Sequence, residues 1–202
     1  MEMNQVTKEY GYRKKGNSFW KIENGFYKLI NIQKSNNGDY FFINLGIHPV
    51  GLPQLITGQL NILEKPPESG CIFRKRIEQV APSLTNSFKE MMSKGLTTKI
   101  TDEILTSIPY VEEWMKESGT NKFVVENEGD TLTNLINVVP ILGGKAYLMI
   151  KFFCNLNLEN KERAYKYFQD YLSLDVVVDN KILDFTLVDS YLKSLMKEDF
   201  PS

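Results

Sequence analysis

The sequence predicts an α+β fold: an antiparallel sheet of about four strands, made of an N-terminal meander plus a strand near 71–77, packed against a mainly helical C-terminal half. Three observations carry that expectation. Apolar, β-prone runs alternate with Asn-Gly pairs between Gly16 and Pro49, the mark of tight hairpins. After Pro82 the hydrophobic period lengthens from about two residues to about 3.6, the change from strand to helix. Finally, 202 residues, 42% of them hydrophobic, suffice to bury one substantial core. Residues 1–202 are therefore expected to form one α+β domain, sheet-rich over 1–82 and helix-rich over 83–202.

Asn24-Gly25 and Asn37-Gly38 each supply the two positive-φ residues that a type I′ turn needs, and each fixes a register. With Asn24 and Gly25 as the loop, Phe19 faces Ile30, Trp20 faces Leu29, Ser18 faces Asn31 and Ile22 faces Tyr27. With Asn37 and Gly38 as the loop, Ile30 faces Leu45, Ile32 faces Ile43, Asn31 faces Asn44 and Gln33 faces Phe42. The two hairpins agree. One face then carries Phe19, Ile30, Ile32, Ile43 and Leu45, continued by Phe41 and Ile47, and is expected to be core. The other is divided: Trp20, Ile22, Tyr27 and Leu29 are apolar, whereas Ser18, Asn31, Gln33 and Asn44 are polar. A site is expected on that polar half.

A further strand is expected at 71–77, with Cys71, Phe73 and Ile77 pointing one way and Ile72, Arg74 and Arg76 the other; its partner strand is not legible. Between them, His48 to Gly70 is rich in Gly and Pro and reads as a long connection with a short turn or helix at most. Helical stripes follow at Leu84, Phe88 and Met91, at Ile104, Ile108, Val111 and Met115, and at Leu132, Leu135, Ile136 and Val139. Ser83 and Asp130 suit N-caps, Gly95 and Gly119 suit stops, and Pro109 is expected to start or kink a helix. Gly144 to Cys154 is apolar nearly all round, which fits a helix buried on most sides or a strand. Ala164, Phe168, Tyr171 and Leu172 form another stripe, as do Phe185, Val188, Leu192 and Leu195. The polar turn Asn155 to Asn160 would join two helices as an αα-hairpin.

Charge excludes several classes. Lys and Arg number 24 against 25 Asp and Glu, so no global field draws nucleic acid or anionic lipid. Residues 1–82 hold 11 Lys and Arg against 7 Asp and Glu, and the remainder holds 13 against 18, an asymmetry that reads as solvated surface. No apolar run approaches the roughly 18 residues of a bilayer span, so no membrane association is expected. The N-terminus MEMNQVTKEY has no apolar leader core, and two cysteines cannot form a disulfide framework. The expectation is a soluble, cytoplasmic protein with reduced thiols.

Catalytic groups are sparse. The one histidine, His48, precedes Pro49 and reads as a strand-end residue with a half-exposed ring; it continues the alternation of Asn44 and Gly46 and so is a rim candidate for a ligand site. Cys71 and Cys154 have no CxxC or histidine cluster beside them, which excludes a Cys and His zinc site, and they read as small buried apolar residues. Glu112 with Glu113, Glu126 with Glu128, and Asp184 with Asp189 lack the spacing of a calcium loop or an acid-base pair. No Walker sequence and no G-x-G-x-x-G occurs. Neither a metal nor a cofactor is expected. Arg13-Lys14-Lys15 and Arg74-Lys75-Arg76 interleave with Tyr10, Tyr12, Phe19 and Trp20, as in RNA-binding sheets. Lys75 alternates away from Arg74 and Arg76, however, and the chain is not basic, so nucleic acid is not the expected partner.

The strings GYRKKGNSFW at 11–20, LINIQKS at 29–35, FINLG at 42–46 and CIFRKRI at 71–77 resemble the bacterial family called domain of unknown function 4304, over about the first 80 residues. The resemblance implies an α+β fold with a mostly antiparallel sheet and no established enzymatic activity. It also implies a role beside bacterial toxin systems, as an immunity-like or other protein-binding factor. The shared residues that alternation puts on the second sheet face are Asn31, Gln33, Asn44, Arg74 and Arg76, and with His48 they form the candidate site. Amides and guanidiniums suit a carboxylate, phosphate or peptide backbone. The plainer alternative is that Asn31 and Asn44 pair with each other and Arg74 neutralises an acid from the helical half. The expected function is non-catalytic protein binding; the alternative is a small-molecule or nucleotide binder, or an enzyme, using a polar cleft at Arg74 and Arg76.

Overall fold

The computed structural model describes residues 3–34, 41–56, 59–84, 98–134, 136 and 142–199. The chain forms two compact units, one of residues 1–49 and 66–120, the other of residues 50–65 and 121–202. The first opens with helix α1 (Met3–Glu9) and strands β1 (Arg13–Lys15), β2 (Ser18–Glu23), β3 (Phe26–Lys34) and β4 (Phe41–Pro49). Strands β5 (Gln54–Ile56) and β6 (Gln59–Asn61) follow in the chain and belong to the second unit. Strand β7 (Phe73–Arg76) then returns to complete a five-stranded antiparallel sheet in the order β1-β2-β3-β4-β7.

The hairpin chemistry acts as expected. Asn24 and Gly25 take φ of 54° and 77°, and β2 pairs with β3 and β3 with β4 in the register derived from the turns. Asn37 and Gly38 lie outside the described residues. The partner of β7 is β4, with Asn44 opposite Arg76 and Gly46 opposite Arg74. The strand is shorter than 71–77 because Ile77 opens helix α2 (Ile77–Val80). Strand β1 was not expected: its three residues are all charged and exposed, so they carry no apolar alternation.

Phe19, Ile30, Ile43, Leu45 and Ile47 are buried on the core face. Helix α3 (Thr98–Ser118) lies over it, turning Ile104, Ile108, Val111 and Met115 inward. Tyr12 donates its hydroxyl to Met115 Sδ at 3.0 Å, and Lys75 sits 5.5 Å from the Trp114 ring. This face also buries charge. Lys21 Nζ donates to Glu112 Oε2 at 2.6 Å, and Lys28 Nζ donates to Glu23 Oε2 at 2.5 Å. Gly119 stops α3 as expected. A Cβ there would stand 2.8 Å from Lys28 Cε, so the lysine stem lies against the helix end, where the unspent carbonyls favour a cation. Pro109 does not start a helix; it lies within α3, with no N–H to offer the carbonyl four residues earlier.

The second unit contains α4 (Asn121–Glu126), α5 (Asp130–Thr133), α6 (Gly143–Asn157), α7 (Lys161–Ser173), the hairpin β8 (Val177–Val178) and β9 (Lys181–Ile182), and α8 (Thr186–Asp199). Residues 144–154 are therefore helical, and α6 and α7 form the αα-hairpin, with the rings of Phe152 and Phe168 5.3 Å apart. Lys145 Nζ donates to the carbonyls of Tyr171 and Leu174, both at 3.0 Å, closing the end of α7. Tyr191 donates its hydroxyl to Gly51 O at 2.9 Å. Two expectations fail here, and one element was not anticipated. The segment 48–70 holds the β5–β6 hairpin as well as a 3-10 turn at Glu68–Gly70. Helix α5 stops at Thr133, so the stripe from Leu132 to Val139 is not one helix; Leu135 and Val139, like Phe88, Met91 and Gly95, lie outside the described residues. The β8–β9 turn, in which Asp179 and Asn180 both take positive φ, went unread. Helix α3, although it follows the compositional change at residue 82, belongs to the same unit as the sheet. Among the described residues no helix is long and apolar enough to cross a membrane.

Candidate functional site

Antiparallel partners share a face, so the sheet surface opposite α3 is crossed by rows of side chains, one from each strand. One row runs Lys15, Ser18, Asn31, Asn44, Arg76, and the next runs Arg13, Trp20, Leu29, Gly46, Arg74. Gln33 and Phe42 lie beyond the first row, Tyr27 and His48 beyond the second. The six expected residues, Asn31, Gln33, Asn44, His48, Arg74 and Arg76, thus share one face.

The apolar end of that face is closed. A Cβ at Gly46 would come within 2.6 Å of Cys71 Sγ, so glycine is what lets the segment around the 3-10 turn lie on the sheet. Cys71 therefore faces this surface rather than pointing with Phe73, and burial, aided by Glu68, pushes its thiol up to about 12. Burial also pushes Tyr27 up to about 12. His48 is only 1% exposed, which corrects the half-exposed ring expected from its strand-end position and removes it from the accessible rim.

The polar end is accessible. Gln33 is exposed, and Ser18, Asn31, Phe42 and Arg76 are half-buried, whereas Asn44, at 3% exposed, is buried and supports this end from below rather than presenting its amide. Asn31 Nδ2 donates to Ser18 Oγ at 2.9 Å, whereas Asn44 Nδ2 donates to Gln33 Oε1 at 3.0 Å; the two asparagines stand opposite each other but bond to different neighbours. Arg74 meets Glu68 Oε1 at 2.6 Å through both Nε and Nη2, so its acid comes from the adjacent turn rather than from the helical half. Arg76 lies 3.8 Å from the Phe42 ring centroid, and among the described residues no carboxylate pairs with it. Its backbone N–H donates to Gln79 Oε1 at 2.7 Å, which fixes the step from β7 into α2. Arg13 lies 5.6 Å from the Trp20 ring.

Sequence reasoning missed Arg13 and Lys15 as members of this face. The available signal was Gly16-Asn17 two residues before the Ser18 strand, a hairpin pair, with Gly16 at a φ of 57°. On the described part of the face four cations stand against the single carboxylate of Glu68. Among the described residues, no group of three or more His, Cys, Asp or Glu is placed to hold a metal ion.

These features define an α+β protein built on a five-stranded antiparallel sheet with one face under a long helix and the other bearing an amide-lined, basic strip. The chain belongs to the family described as Domain of unknown function (DUF4304), whose profile matches residues 3–117, from α1 to the last turn of α3. No curated protein and no solved structure matches it.

Proposed function

We propose that this is a non-catalytic binding factor whose accessible sheet face meets another protein, the finer reading being an immunity-like role in the bacterial cytoplasm. Arg76 carries that reading. Its guanidinium is oriented by the Phe42 ring at 3.8 Å, has no carboxylate partner among the described residues, and stands beside the amides of Asn44 and Gln33. A guanidinium preoriented among amides, and without a carboxylate partner among the described residues, suits a partner's carboxylates and backbone. The groups that nucleophilic chemistry would recruit here are unsuited to it: burial holds the Cys71 thiol protonated, and His48 is enclosed.

Affinity capture from source-cell extract with the wild type and with Arg76→Glu tests this. Support is a protein recovered by the wild type and lost on charge reversal at an unchanged melting temperature; equal recovery by both sinks the reading. The same stacked guanidinium also suits a small anionic ligand in the cleft beside Arg74. Thermal stabilisation by a metabolite or nucleotide panel, abolished by Arg76→Glu, would favour that instead.

A further inference from the structure

Resting on that reading, we propose that the occupant of the face is an acidic, extended polypeptide segment lying across the strands along the row Lys15, Ser18, Asn31, Asn44 and Arg76, with a carboxylate near each end.

Register makes the row continuous, since each residue in it stands opposite the next. Neighbouring strands are about 4.8 Å apart, so four steps separate the terminal cations by about 19 Å at the backbone. An extended chain advances about 3.4 Å per residue, so roughly five or six residues span that distance. Between the cations the row offers only uncharged polar groups, the Ser18 hydroxyl and the Asn31 amide, with exposed Gln33 alongside; the Asn44 amide, 3% exposed, lies beneath and holds Gln33 through its Oε1. A peptide backbone has donors and acceptors to match these groups, and carboxylates match the ends. The second row has cations at its ends too. Its middle, however, is Trp20, Leu29 and Gly46, with Cys71 laid against the glycine, and Arg74 is already paired with Glu68. That row walls the first and does not compete with it.

A single-stranded nucleic acid would use the same cations but needs open aromatic faces for its bases. Here Arg13 lies over the Trp20 ring and Arg76 over the Phe42 ring, so both aromatics already stack against guanidiniums. The observations favour a polypeptide.

The test is selection of random dodecapeptides displayed on phage against the full-length protein. Enriched sequences are then measured as fluorescent peptides by anisotropy, beside oligouridylate of equal length. Enriched peptides should carry two Asp or Glu about five residues apart. Their dissociation constants should rise about tenfold or more in both Lys15→Glu and Arg76→Glu, each with an unchanged melting temperature, and change less than about twofold in Arg163→Glu, an exposed site in the other unit. Peptides without an acidic pair that still lose affinity at Arg76→Glu would overturn the acidic cross-strand segment and leave the face as a protein-binding surface. Peptides indifferent to both reversals, or no enrichment at all, would overturn both. Oligouridylate binding abolished by both reversals, with no peptide binding, would replace polypeptide by nucleic acid.

Discussion

Glu23 holds the ammonium of Lys28 across the β2–β3 hairpin, Oε2 to Nζ at 2.5 Å, although Lys28 has no exposed surface and the Glu23 side chain is 44% exposed. The hydrogen bond from Lys28, with the charges of Lys28 and Lys21, holds the Glu23 carboxyl below its ordinary value of 4.5. A folded value below the unfolded one means the contribution is complete above the unfolded value and is lost as pH falls through the folded one. The melting temperature followed by circular dichroism should therefore drop below about pH 4.5, with Glu23→Gln making that part of the profile shallower. Identical profiles for the two proteins would remove the linkage.

The same pair should respond asymmetrically to truncation. Glu23→Ala strands a buried ammonium and is expected to cost about 2 kcal/mol, moderated by the exposure of the carboxylate. Lys28→Met keeps an apolar stem against Gly119 and frees a carboxylate that can turn to water, so it should cost about 1 kcal/mol or less. Urea denaturation of the two variants decides; the reverse order contradicts the burial assignment.

Gly46→Ala should destabilise by about 1–3 kcal/mol, because the added methyl meets Cys71 Sγ and Cβ. Cys71→Ala in the same chain should recover part of that loss. A Gly46→Ala protein with native stability would mean that the segment around Cys71 is not seated on the sheet.

Ile43 is 2% exposed on the core face, so Ile43→Asp should remove more than about 4 kcal/mol and leave the protein unfolded at room temperature. Far-ultraviolet circular dichroism reads this directly, and a soluble variant with native melting would reverse the face assignment.

Both thiols are buried, and burial raises their pKa, Cys71 to about 12 and Cys154 further. Neither should react with a chromogenic disulfide reagent at pH 8 until denaturant is added. Rapid modification of the native protein would show an opening that the packing does not contain.

Much of the sheet was legible because Asn24-Gly25 and Asn37-Gly38 fix registers locally, and register alone decides which side chains share a face. Asn31 and Asn44 came together for that reason, whereas for Arg74 and Arg76 alternation gave only a shared side of their strand, and the pairing with β4 came from the structure. The burial of His48 was not legible, since strand position alone does not say what covers a ring, nor was the partner of Arg74, which depends on how the turn at Glu68 folds back; nothing local encodes the contact between Gly46 and Cys71. Lys21, Glu23 and Lys28 were within reach: alternation puts all three on the core face, where a charge needs a partner. The β8–β9 hairpin escaped because Asp179-Asn180 reverses the chain without a glycine. The stripe at Leu132 to Val139 misled because helical spacing does not say where a helix ends.

The chain leaves the sheet-bearing unit after Pro49 and re-enters it at Pro66. Hydrolysis of a single peptide bond within 50–65 would therefore yield two fragments, neither owning a whole unit. One would bring β1 to β4, the other β7 and α3, and the sheet would be rebuilt only by reassociation. That excursion is thus a built-in split point, at which the two pieces could serve as the halves of a complementation reporter whose signal is the restored pairing of Asn44 with Arg76.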